Sequence, residues 1–149
     1  MSGKATPVSF SSAVAMDNSS NVWFIATDGL KTALYREDIS GALTQILISG
    51  DTVAGAQVTG ITGLGVQAAT GNLLVTGNTS RGNFAALYNA GNLKTPVAAD
   101  LGNFLSVTSY NKGGNVLSGY ASLAGNGLYT LTPQGLRLLL AEGALASNG

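Results

Sequence analysis

Oxygen-bearing side chains gather near the start of the chain, at Asp17, Asn18 and Asn21. Such a group could ligate a cation. A Ca²⁺ loop, however, normally takes several carboxylates and a bidentate closing acid, whereas Asp17 is the one carboxylate of this group. The spacing therefore predicts an Asx turn, in which Asp17 accepts hydrogen bonds from the turn backbone, and no metal site.

Glu37 and Asp38 are adjacent acids. A glycosidase sets two carboxyl groups about 5–10 Å apart across the scissile bond, but consecutive strand residues point to opposite faces. The chain also lacks His and Cys, which removes the commonest general base and the nucleophilic thiol. Serines are abundant, yet no spacing marks a Ser–Lys pair. We expect no enzyme and no catalytic, cofactor-binding or metal-binding residue.

A glycine-rich segment runs from Gly60 to Gly65. A loop that cradles phosphate follows a strand and opens a helix, because that context makes its N–H groups converge. This segment neither follows a clean strand nor opens a helix. We interpret it as a flexible connection.

Composition limits the partners of the chain. It has 149 residues, enough for one domain, and 45% of them are hydrophobic. Only 9% are charged, seven basic against seven acidic, and they are scattered, so a nucleic-acid partner is not expected. No apolar run reaches the roughly 18 residues that a membrane crossing needs. Near-zero net charge gives little protection against self-association, which favours an oligomer.

The chain contains a threefold internal repeat. The phrase Ala33-Leu34-Tyr35 returns as Ala86-Leu87-Tyr88 and as Gly127-Leu128-Tyr129. A period of this size indicates a repeat architecture. We predict a single repeat domain over 1–149, with repeats at 8–55, 61–102 and 103–145.

Each repeat is expected to form four short antiparallel strands, since β-branched and aromatic stretches alternate with Asn- and Gly-rich turns. The Leu-Tyr phrase lies in the third strand of each. The Leu-rich tail could form a helix or a strand on composition, and the repeat register decides for a strand. The other predicted strands are Ser12–Asp17, Leu64–Ala69 and Leu105–Tyr110 (first), Val22–Thr27, Leu73–Gly77 and Val116–Tyr120 (second), and Leu43–Ile48, Lys94–Ala98 and Leu136–Leu140 (fourth).

The first repeat resembles a β-propeller blade and is most similar to the NxxGxxAF-type tandem repeats of bacterial surface proteins. The resemblance is carried by residues 17–24, 33–36, 40–47 and 50–53. Ser20 and Asn21 stand where that family prefers glycine, and the second and third repeats match more loosely. The resemblance implies a scaffold and brings no catalytic residues with it.

Three repeats can close in different ways. The interpretation we favour is three four-stranded blades forming half of a six-bladed β-propeller that homodimerisation closes, because three blades alone leave two apolar faces in water. The alternatives are a β-trefoil or β-prism monomer and a sandwich. The chain starts just before a first strand and stops after a fourth, which suggests whole blades.

Function is expected to follow from assembly. The chain is interpreted as a non-catalytic repeat module whose partner is itself. A natural origin and an engineered or excised one, without a biological activity of its own, both fit this interpretation. The alternative is a multivalent carbohydrate-binding protein that stacks a small sugar on Tyr35, Tyr88 and Tyr129. Trp23 argues against a repeated tryptophan pocket, because Leu74 and Leu117 are aligned with it in the other repeats.

Two structural expectations follow from the repeats. Leu34, Leu87 and Leu128 should be nearly inaccessible, and the neighbouring tyrosine rings at least half covered. The acids that end the fourth strands should bond turn backbone. These acids are Asp51, Asp100 and Glu142.

Overall fold

A computed structural model describes residues 9–67, 70–89, 92–98, 106–110, 116–119, 127–132, 135–141 and 143. The regular structure of these residues is entirely β. The strands are β1 (Ser9–Met16), β2 (Val22–Thr27), β3 (Thr32–Glu37), β4 (Leu43–Ile48), β5 (Thr52–Val53), β6 (Ala56–Gln67), β7 (Asn72–Thr79), β8 (Gly82–Asn89), β9 (Asn92–Ala98), β10 (Ser106–Tyr110), β11 (Val116–Gly119), β12 (Gly127–Thr132) and β13 (Gly135–Ala141).

The strands form three antiparallel sheets in which every neighbour in space is also a neighbour in sequence. The first sheet has the order β1-β2-β3-β4, the second β5-β6-β7-β8-β9 and the third β10-β11-β12-β13. The all-β antiparallel class is therefore confirmed. The second sheet has five strands and not the predicted four, because the short strand β5 is added at its edge.

Strand boundaries agree best where turn chemistry is local. The predicted ends of β2 and β4 match the structure, and the Leu-rich tail is the strand β13. In the β2–β3 turn, the Asp28 carboxylate accepts the N–H groups of Leu30 and Lys31 at 2.9 and 2.8 Å. Gly29, which lies between Asp28 and Leu30, adopts a φ of +89°, in the left-handed region that favours glycine.

The glycine-rich segment is a correction. Gly60–Gly65 is not a connection but the middle of β6, which runs over twelve residues. It pairs with β7, with register shifts between Val58 and Gly60 and between Ile61 and Gly63. Strand β6 also contacts strands of both other sheets.

A bulge recurs at the Leu-Tyr phrase. The register between the third and fourth strands shifts after Leu34 in the first sheet, after Ala86 in the second and after Leu128 in the third. Extra residues in the fourth strand bend each sheet at this point. The three sheets therefore share a distortion as well as a strand order.

The second sheet is buried on both faces. Leu73 and Val75 of β7 belong to the main core cluster, which also holds Ile25, Leu34 and Leu47 of the first sheet. The intervening side chains of β7 and β8 point the other way and are equally inaccessible: Leu74, Thr76 and Ala85. Contacts from β10, β12 and β13 link the second sheet to the third. One core therefore joins the first sheet to the second.

Candidate functional site

The turn around Asp17 is a closed hydrogen-bond network. Its Oδ1 accepts the backbone N–H groups of Ser19 and Asn21 at 2.9 and 3.0 Å. Its Oδ2 accepts from Asn21 Nδ2 at 2.8 Å and Trp23 Nε1 at 3.4 Å. Ser20 adopts a φ of 62°, the conformation for which glycine would be the usual choice. The carboxylate is fully engaged in holding the turn, as predicted.

The other acids that the structure describes in turns behave in the same way. Asp38 Oδ1 accepts the N–H groups of Ser40 and Ala42 at 2.9 and 3.0 Å, and Asp51 Oδ2 accepts the N–H of Ile48 at 2.9 Å. Asp100 and Glu142 lie outside the described residues. Within the described ranges, no three acidic, His or Cys side chains converge to hold a metal ion.

These contacts predict how stability depends on pH. Burial opposes ionisation of Asp17, but the hydrogen bonds from Asn21, Trp23 and Ser19 outweigh it and hold its pKa below 3.8. A depressed folded-state pKa means that the stabilisation is complete above the unfolded value and is lost as pH falls through the folded one. Since the chain has no His or Cys, we expect flat urea midpoints between about pH 5 and 8. A decline should begin below about pH 4, and a steep change near pH 6 would contradict this.

The matched control is Asp17→Asn. It removes the titrating group while keeping one acceptor, so its urea midpoint should fall less steeply below pH 4 than that of the parent.

At the alkaline end, burial and then the charge of Asp51 raise the pKa of Tyr88 from 10.0 to about 12. This tyrosine favours folding below pH 10 and ceases to do so as pH rises through about 12.

Burial of the repeated phrase differs between repeats. Leu34 is completely buried, as expected. Leu87 is only partly buried, so the expectation that it would be nearly inaccessible is wrong. The side chain of Leu128 lies outside those described. The tyrosines behave as predicted, because Tyr88 and Tyr129 are 4% and 5% exposed and Tyr35 is partly covered.

Strand pairing explains these differences. Leu34 faces the second sheet, so its neighbour Tyr35 faces away from it. In the second sheet it is Tyr88 that joins the core shared with the first sheet, so Leu87 points away. Tyr88 therefore faces the preceding sheet, whereas Tyr35 faces a side on which the described residues supply no further sheet.

The register also aligns the repeats. Tyr35 pairs with Phe24 in the first sheet, and Tyr88 pairs with Leu73 in the second. By this register Leu74 corresponds to Ile25 and not to Trp23, which corrects the sequence alignment. Leu117 pairs with the residue after Tyr129 and does correspond to Trp23.

The face of the first sheet that carries Tyr35 includes several exposed apolar side chains, and we call it the outer face. Phe24 and Tyr35 stack there with ring centroids 5.6 Å apart. Val14, Met16 and Leu43 lie on the same face and are 59%, 65% and 59% exposed. The register places the following apolar residues on it: Val14, Met16, Val22, Phe24, Ala26, Ala33, Tyr35, Leu43 and Ile48.

A cleft lies within the outer face. Its floor is formed by Ala26 and Ala33, which pair across β2 and β3, and its walls include Tyr35 and Ile48. Thr27, Asp28 and Lys31 form a polar rim at one end. Sequence reasoning missed this cleft, because two opposed alanines carry no signal by themselves.

The third sheet also presents leucines. Leu138, Leu139 and Leu140 of β13 are each about two-fifths exposed, at 42%, 43% and 43%. The described part of the chain contains no helix with the length and hydropathy that a membrane crossing requires.

Compared with protein-family models and with curated proteins, the sequence matches none.

Proposed function

We propose that the chain is a non-catalytic β-propeller repeat module, three blades that make half of a six-bladed ring and close it with a second copy. The observation that carries this proposal is the outer face of the first sheet. Exposed apolar patches beyond a few hundred Å² are rare on soluble monomers and mark interaction surfaces. A surface with stacked aromatics and exposed Val14, Met16 and Leu43 fits that description.

Two features of the packing support a ring. The first strands of successive repeats contact one another, β1 with β6 and β6 with β10, as inner strands around a common axis would. The second sheet buries both faces, which is the environment of a blade between two others. The likeness to NxxGxxAF-type repeats is consistent with this arrangement.

Sedimentation equilibrium tests the proposal. A head-to-tail pair covers the outer face of the first sheet in both copies, so we expect about 30 kDa, twice the 14.9 kDa of the chain. The interface should be large, above about 2,000 Å² in total, and obligate. No folded monomer should survive dilution. A compact monomer at micromolar concentration would contradict the ring and favour a β-trefoil or β-prism.

Carbohydrate binding is less well supported. One sugar site per repeat would need an accessible tyrosine in each, but Tyr88 and Tyr129 are buried. Among the described residues, the stacked pair Phe24 and Tyr35 remains as an aromatic platform. Tryptophan fluorescence titration and a glycan array would detect such binding, and the ring proposal expects neither to respond.

A further inference from the structure

We propose that the cleft over Ala26 and Ala33 is a socket for Leu140 of a second copy of the chain. This inference rests on the proposed ring and specifies its contact. It commits to a head-to-tail arrangement, in which the third sheet of one copy covers the first sheet of the other. With two copies, each ring contains two identical contacts of this kind.

The second sheet contains a completely buried counterpart of the socket. There Val75 and Ala86 pair across β7 and β8, next to Leu73 and Tyr88, as Ala26 and Ala33 pair next to Phe24 and Tyr35 in the first sheet. Val75 and Ala86 are both completely buried. They lie in one cluster with leucines that the first sheet supplies, Leu34 and Leu47.

Leu140 is the counterpart of one of those leucines. Leu47 pairs with Leu34 at the last position before the bulge of the first sheet. Leu140 pairs with Leu128 at the same position in the third sheet. Leu47 is 4% exposed, whereas Leu140 is 43% exposed. Leu140 therefore occupies an equivalent position, and the described residues place no further sheet against it.

The floor of the socket carries a smaller residue than its counterpart in the second sheet. Ala26 stands where the second sheet has Val75, so the open cleft is deeper than its buried counterpart by the extra methyl groups of valine. Buried sites are packed to nearly crystalline density. The two floor alanines, Ala26 and Ala33, are already 5% and 4% exposed, so a leucine entering between Tyr35 and Ile48 would fill the space above them and cover its walls.

A charge exchange provides the test. Ala33→Lys places a cation in the socket, and Leu140→Glu places an anion on the occupant. Alone, each variant alters both contacts of its ring and should weaken dimerisation at least about 100-fold. Mixed one to one, the two variants should form a heterodimer, since one contact then joins lysine to glutamate and the other keeps Ala33 against Leu140.

Sedimentation of each variant and of the mixture gives the readout. Restored dimer in the mixture supports the socket. A dimer in either variant alone, or no restoration on mixing, overturns it. Ile39→Glu is the matched control. Ile39 is 82% exposed in the β3–β4 turn, so this substitution should leave the sedimentation mass of the dimer unchanged.

The outcomes separate the two proposals. If the unmodified chain is monomeric, the ring itself fails. If the unmodified chain is dimeric and both variants remain dimeric, the ring stands and the socket fails. Far-UV circular dichroism checks that each variant folds. If a charged variant does not fold, the milder substitutions Ala33→Leu and Leu140→Ala replace the charged pair. Each of these is expected to weaken the dimer at least tenfold, and an unchanged dimer would overturn the socket.

Discussion

Replacing Leu34 by alanine is expected to lower the free energy of unfolding by about 2–5 kcal/mol. Leu34 has no exposed surface and pairs with Ile25 and Leu47 in the core that joins the first two sheets. Its removal leaves a cavity that strands on both sides cannot fill without moving. Urea denaturation measures the loss, at one protein concentration for all variants, because the stability of an oligomer depends on concentration.

Leu30 supplies the control for this prediction. It is 93% exposed in the β2–β3 turn, so Leu30→Ala should change stability by no more than about 0.5 kcal/mol. The same substitution at Leu87, which is partly buried, should fall between the two. An unchanged urea midpoint for Leu34→Ala would show that the sheets do not share this core.

Replacing Gly77 by alanine should also be strongly destabilising, at or above the upper end of the roughly 1–3 kcal/mol that overpacking costs. A Cβ atom there would lie 2.3 Å from the carbonyl oxygen of Gly60 and 2.6 Å from Cε1 of Phe84. One obstacle is backbone, so a side-chain rotation cannot relieve the contact. We expect a lowered thermal midpoint and reduced soluble yield.

Gly60→Ala is the matched control, on the strand that pairs with that of Gly77. A Cβ at Gly60 would have Asn78 Nδ2 at 3.8 Å as its nearest neighbour, which is ordinary van der Waals contact. It should therefore be tolerated. Equal thermal midpoints for Gly77→Ala and the parent would mean that β6 and β7 are not as close as described.

The sequence allowed most strands to be predicted, because their signals are local. β2 and β4 are bounded by Asx and glycine turns, and their ends were predicted correctly. The Gly60–Gly65 segment was not, since glycines carry neither alternation nor β-propensity. Its strand conformation comes from pairing with β7, a contact between different parts of the chain.

Burial was harder to predict than secondary structure. Leu34, Leu87 and Leu128 occupy the same place in the repeated phrase, yet Leu34 is buried and Leu87 only partly so. The difference depends on which sheet lies against which face, and the phrase does not contain that information. The cleft over Ala26 and Ala33 was missed for the same reason, because it depends on which described sheets lie against each face.

The sheet order has a consequence for how the chain folds. Because each strand pairs with its neighbours in sequence, every hairpin closes a short loop, and hairpins of this kind form in about 1–10 μs. The first sheet ends at Ile48, so on a ribosome it can form before the second has been made. Leu34 and Trp23, which are buried in the folded protein, would then be exposed to water until β6 has been synthesised. The apolar face of the first sheet thus stays exposed until the second sheet docks on it. The rate of synthesis determines how long this exposure lasts.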